Sequence, residues 1–375
     1  MPRSMPEVLL VSRPVSGGPP DGTVELVRTL ASTGGSSEAP IRFGLLKAWG
    51  PHQEIHGAVT LSSALPGGVA WRPVTLLRLL QTPPRVIRHY FFTPTNRVVA
   101  LLRIVHRLRP APAVQTICST PGDDVSLGPL IFASHVVALS SHTRDRLLGE
   151  GLPPGRVHLI PPAVPTPPPV TDQLRAEVRR RLGLAPGTAM LVYLGDFDVA
   201  GAALSTARAI GPLLGREGLA LVLACRPKGG RHREVAQEVR DALATSGARP
   251  GQVLILGRIS FAPALAAAAD LAIFPARRLP DKMDLPLGLL QSLAAGVPAL
   301  VANEGPLADL VNAGAAFGVD ARDPEALRTA ALHLLEDGKQ RRALGAAARR
   351  HMEREGSVTE LGRAHAALYG RLWRQ

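Results

Sequence analysis

Short runs rich in consecutive apolar residues recur along the chain, separated by stretches in which apolar positions return every three or four residues. Runs at 7–11, 41–46, 86–92, 113–118 and 135–140 lack a strict apolar-polar alternation, as expected of strands buried on both faces of a parallel sheet. Between several of them the pattern is helical, as at 23–30 and 97–109. Residues 140–148 open on a serine and stop before Gly151, which marks a capped helix, and a short strand follows at 156–160. A second series of strand-like runs lies at 189–195, 219–225, 253–256, 270–274, 299–302 and 316–319, and helical pattern continues from 324 to 373. Strands alternating with helices in two blocks predict an α/β chain of two Rossmann-like parallel-sheet domains facing an interdomain cleft. Six of the nine residues from 161 to 169 are prolines, which reads as an extended, semi-rigid linker between the blocks.

A length of 375 residues suits two domains, each able to bury its own core. An apolar content of 46% against 19% charged describes a folded protein rather than a disordered one. No uninterrupted apolar run reaches the ~18 residues that a membrane span needs. The run that starts at Val8 is too short for a signal-peptide core, so a cytoplasmic location is expected. Cys118 and Cys225 are far apart in apolar surroundings, which predicts a reducing compartment with neither disulfide nor zinc site. The net charge of +13 is spread along the chain: residues 1–170 hold 16 basic and 9 acidic side chains, the remainder 27 and 21. Aromatic residues make up 4%, with no basic-aromatic platform for single-stranded nucleic acid. Sugar nucleotides or anionic lipid fit this charge better than DNA does.

The densest candidate chemistry lies between Lys282 and Pro298. A strand-like run precedes this segment and another follows it, making one βαβ unit whose loop lies where parallel sheets hold ligands. Asp284 reads as the helix N-cap and Pro286 fits a first helical turn, so Lys282 stands beside a helix start suited to phosphate. Arg226 and Lys228 follow the run at 219–225, where a planar fork and a point charge could meet a pyrophosphate. Gly17 and Gly18 form a turn after the first strand, and His89 stands in the strand at 86–92. Residues 97–109 form a basic amphipathic helix, with Val98, Leu101, Leu102, Val105 and Leu108 on its apolar face. Two readings of it are open: packing on its own sheet, or contact with an anionic membrane. No metal-ligand cluster, Ser-His-Asp order or Walker loop can be read in the sequence.

The segment from Lys282 to Pro298 resembles the donor-site signature of family 4 glycosyltransferases of the GT-B fold, in its Lys-Met-Asp-x-Pro-Leu-x-Leu-Leu form. The stretches 136–162, 253–275 and 323–373 are similar to further passages of that family. The resemblance implies an N-terminal acceptor domain at 1–165, joined by a returning helix at about 356–375, and a nucleotide-sugar domain at 166–355. It implies sugar transfer from a nucleotide-diphosphate sugar to a glycan or lipid-linked acceptor, with retention, no cofactor and no metal. Gly195, Arg226, Lys228, Lys282, Asp284, Pro286, Leu287 and Gln291 would form the donor side. Gly17, Gly18 and His89 would line the acceptor side, with His89 the one catalytic candidate. Four positions depart from the family pattern. Asp196 and Ala200 replace its arginine and lysine, Gln291 its glutamate, and Cys118 a histidine. Those departures leave a second reading, a catalytically inert GT-B module that binds a partner or scaffolds a complex.

Overall fold

In a computed structural model the chain forms two units, and the residues described are 7–12, 22–47, 58–62, 71–92, 96–122, 124–227 and 230–374. The first unit comprises 1–163, 281–284 and 358–375; the second comprises 164–280 and 285–357. The boundary falls inside the proline-rich stretch.

The first unit runs β1 (Glu7–Ser12), α1 (Gly22–Ser32), β2 (Arg42–Lys47), β3 (Ala58–Ser62), α2 (Trp71–Gln81), β4 (Ile87–Phe91), α3 (Asn96–Leu108), β5 (Ala113–Ile117), β6 (His135–Ala138), α4 (Ser141–Gly149) and β7 (Val157–Leu159). Its seven strands are all parallel, in the order β3-β2-β1-β4-β5-β6-β7. All five residues of β4 and of β5 are buried, because helices cover both faces of such a sheet. Ser140 caps α4 by accepting from the Thr143 amide, and Gly151 (φ +88°) closes it.

The second unit runs α5 (Asp172–Arg181), β8 (Ala189–Asp196), α6 (Ala202–Ile210), β9 (Leu219–Arg226), α7 (His232–Ala244), β10 (Val253–Leu256), α8 (Ala262–Ala268), β11 (Leu271–Phe274), α9 (Leu287–Ala294), β12 (Ala299–Ala302), α10 (Ala308–Asn312), β13 (Phe317–Val319), α11 (Pro324–Glu336) and α12 (Gly338–Arg354). Its six parallel strands are ordered β10-β9-β8-β11-β12-β13, so the strand order reverses beside β8. The crevice at the carboxyl ends of β8 and β11 is where a sheet of this topology holds ligands. The last helix, α13 (Val358–Trp373), belongs to the first unit and packs on α1 and β4. The contact is close: a Cβ at Gly362 would lie 2.9 Å from the Thr33 Cβ.

Helix α9 is apolar almost throughout and lies between β8, β11 and β12 on one side and α8 and α12 on the other. Its end is a Schellman turn. The Gly296 amide donates to the Leu293 carbonyl at 2.9 Å and the Val297 amide to Ser292 at 2.9 Å, with Gly296 at φ +79°.

Two expectations change. Strand β3 was not legible in the sequence, being a short edge strand of mixed residues. Helix α3 turns Val99, Leu102 and Val105 inward, leaving Val98, Leu101, Ile104 and Leu108 exposed, so its apolar face is not the one the sequence suggested.

Candidate functional site

Strands β8 and β9 pair in register through their last residues, with Gly195 opposite Cys225 and Asp196 opposite Arg226. The Arg226 Nε donates to Asp196 Oδ1 at 2.7 Å; the carboxylate side chain is 1% exposed and the arginine side chain 36%. Below this pair lie Tyr193, stacked on Phe274 with ring centroids 5.2 Å apart, and the buried Cys225. Burial pushes the Cys225 thiol up, and the Asp196 charge adds to it; burial also raises the Tyr193 phenol. Both therefore stay protonated, and Cys225 is not a nucleophile.

Gly195 is fixed by local geometry. The Tyr193 hydroxyl donates to the Asp196 carbonyl at 3.1 Å, and a Cβ at Gly195 would sit 2.7 Å from that same hydroxyl oxygen. Gly288 has a similar role that sequence reasoning missed: a Cβ there would be 3.0 Å from the Leu194 Cβ. The first turn of α9 thus abuts the end of β8. This brings Gly195, Asp196, Arg226, Pro286 and Leu287 to the carboxyl edge of the second sheet, with Gln291 one turn further along α9. Pro286, Leu287 and Gln291 are each half-buried.

Asp284 is not the cap of α9. Pro286 occupies that position at φ −63° and ψ 127°, with no side-chain cap. The Asp284 carboxylate instead turns into the first unit, where the Ser140 hydroxyl donates to its Oδ2 at 2.6 Å. Two further contacts hold the same tetrapeptide in that unit. The Asp281 amide donates to the Thr120 carbonyl at 2.8 Å, and Met283 packs on Gly22, where a Cβ would be 3.2 Å from its Cε. Thr120, Ser140 and Gly22 lie beyond β5, β6 and β1, so Asp281–Asp284 docks on the carboxyl edge of the first sheet. Lys282, in the middle of this loop, is half-buried.

His89 does not face open space. It is fully buried, and its Nδ1 and Nε2 pair with the hydroxyls of Tyr369 and Thr116, the latter at 2.7 Å. Burial, with His365 nearby, holds its pKa well below the usual histidine value. A neutral imidazole has one donor and one acceptor, which two hydroxyls can match. His89 is therefore a core residue, and its expected contact with an acceptor is corrected. Gly17, Gly18 and Lys228 lie outside the described residues. Among the described residues no group of three or more His, Cys, Asp or Glu side chains could hold a metal ion.

Residues 188–337, most of the second unit, match the family model described as Glycosyl transferases group 1. The chain is 33% identical over 115 residues to a GDP-mannose-dependent monoacylated α-(1-6)-phosphatidylinositol monomannoside mannosyltransferase of Corynebacterium glutamicum. That match covers 29% of this chain and spans 30% of the relative's length. Solved structures agree over nearly the whole fold. Anabaena HepE in complex with UDP and glucose superposes with a TM-score of 0.77 at 15% identity, covering 98% of this chain and 100% of that one. A sucrose-phosphate synthase of Thermosynechococcus elongatus gives 0.76 at 16%, covering 99% and 100%. WaaG, a glycosyltransferase of lipopolysaccharide biosynthesis, gives 0.63 at 16%, covering 96% and 99%.

Proposed function

We propose that this chain, which has the GT-B fold and matches the group 1 glycosyltransferase model over residues 188–337, transfers a sugar from a nucleotide-diphosphate sugar. The observation that carries this reading is the family match itself, which encloses the ends of β8 and β9, the loop after β11 and the start of α9. The donor is a UDP- or GDP-sugar. HepE was crystallised with UDP-glucose, and the corynebacterial relative is named for GDP-mannose. The acceptor is a glycan or a lipid-linked sugar, and the protein works in the cytoplasm, at the inner face of the membrane.

In this reading Arg226 and Lys228 hold the diphosphate, with the first turn of α9 adding its amides and dipole. The Gln291 amide oxygen accepts from a ribose hydroxyl, and its NH₂ can only donate, so it binds ribose less firmly than a carboxylate would. Leu287, Pro286 and Gly195 shape the wall of the pocket. The reaction retains anomeric configuration and needs no metal, because charge on the leaving diphosphate is met by cations and amides. Asp284 serves through position: anchored on Ser140, it fixes the loop Asp281–Asp284.

The specific observation favouring an inert binding module is the Asp196–Arg226 pair, which sets a buried carboxylate where the phosphates would come. Thermal unfolding with UDP, GDP, ADP and their sugars tests the first reading. Saturation at about a hundred times Kd should raise the transition by roughly 5–10 °C. If no nucleotide moves it, and Arg226→Ala/Lys228→Ala behaves as wild type, the donor site is not there. Slow hydrolysis of the bound donor without acceptor separates an enzyme from an inert module.

A further inference from the structure

Five of the seven large hydrophobic side chains exposed among the described residues lie on two neighbouring helices, α2 and α3. Leu101, Ile104 and Leu108 of α3 are 40%, 51% and 66% exposed, Val98 beside them 38%, and Leu77 of α2 52%. The sheet-facing stripe of α3 is already complete with Val99, Leu102 and Val105. At about 100° per residue, Leu101, Ile104 and Leu108 share a second, solvent-facing stripe, and Arg103 and Arg107 fall on the stripe beside it. The Arg109 Nε donates to the Leu80 carbonyl at 3.0 Å, tying the two helices into one surface.

The charge carried by this stretch of the chain has one sign. From residue 55 to residue 122 the chain contains eight arginines and no aspartate or glutamate. Among the described residues none of Arg78, Arg97, Arg103 and Arg107 is in an ion pair, although all four are exposed. Some other arginines do form ion pairs, as in Arg249–Glu217, Arg322–Glu304 and Arg349–Glu353. A second copy of the chain would set arginine against arginine. A nucleic acid would use the cations and leave the leucines in water. A bilayer with anionic headgroups matches both features, since the cations stay at headgroup level while the apolar stripe enters the acyl boundary. No described helix is long and apolar enough to cross a membrane, so contact would be in the interfacial plane.

We propose that the outer face of α2 and α3 is a docking surface for an anionic lipid bilayer. It goes beyond the sugar-transfer reading and stands apart from the donor site, all of whose candidate residues are at 195 or later. The test is flotation of the full chain with phosphatidylcholine vesicles, with and without phosphatidylglycerol. Wild type should float only with the anionic vesicles, and added salt should release it. Ile104→Glu/Leu108→Glu and, separately, Arg97→Gln/Arg107→Gln should each lower the partition coefficient about tenfold or more. Both variants alter exposed side chains, so unchanged circular dichroism and an unchanged nucleotide-induced melting shift verify their folding and separate this test from that of the donor site. The proposal is overturned if wild type stays unbound or binds neutral vesicles equally. It also fails if the variants bind like wild type, or if duplex DNA binds with an affinity that Ile104→Glu/Leu108→Glu leaves unaltered.

Discussion

Asp196 and Arg226 illustrate how one residue changes the reading of another. From sequence, Arg226 is a free cation at a strand end; in the fold it is the neutralising partner of a buried carboxylate. An incoming diphosphate would meet Asp196 as a like charge and would compete with it for Arg226. Asp196→Asn is therefore expected to tighten UDP or GDP binding, measured by calorimetry, whereas a weaker complex would mean that Asp196 holds Arg226 in its working orientation. Arg226→Gln should lower stability by about 2 kcal/mol, less than for a fully buried pair because the guanidinium is partly in water. His89 makes the opposite point. Removing its ring in His89→Ala opens a cavity and strips the hydroxyls of Thr116 and Tyr369 of a partner, at a cost of about 2–4 kcal/mol in denaturant unfolding. The nucleotide-induced melting shift should survive that substitution; its loss would return His89 to the site.

At the scale of elements, strands were the easiest to read and helix faces the hardest. A strand buried on both sides shows itself as an apolar run, and β9 has seven of its eight residues buried. Helix α3 has apolar residues around most of its circumference, so periodicity alone could not choose the stripe that faces the sheet. The end of α9 was legible in Gly296-Val297-Pro298, but the reason it tolerates little change is tertiary. A Cβ at Gly345 of α12 would collide with the Gly296 carbonyl oxygen. Gly345→Ala should thus destabilise the second unit by about 1–3 kcal/mol, even though alanine is the better helix former by about 1 kcal/mol. A neutral or stabilising result in calorimetry would show that α12 can move away freely.

At the scale of the molecule, histidines kept neutral by burial are concentrated in the first unit. His89, His106, His135, His158 and His365 all lie there with lowered pKa, the values for His106, His158 and His365 falling to about 4; burial is the first cause in each case. A histidine depressed in the folded state binds its proton more readily when unfolded. Stability is therefore full above the unfolded value near 6.5 and is lost as pH falls toward the folded value. For the deeply buried His365 the slope reaches about 1.4 kcal/mol per pH unit between about 6.5 and 4, and His89 adds to it in the same direction. Calorimetric scans between pH 7.5 and 4.5 should show the transition of the first unit falling faster than that of the second. Equal shifts would refute this distribution.

The sequence by itself determined the two α/β blocks, most strand positions, the proline-rich junction and the segment from Lys282 to Pro298. These features are local: apolar runs, turn residues and short motifs carry them without knowledge of distant partners. Only tertiary structure decided that Asp196 neutralises Arg226, that Asp284 serves Ser140 rather than α9, and that His89 is sealed by a tyrosine 280 positions away. Each of these depends on which strands become neighbours and where the last helix returns. Burial and pairing across such distances leave no periodic trace in the chain.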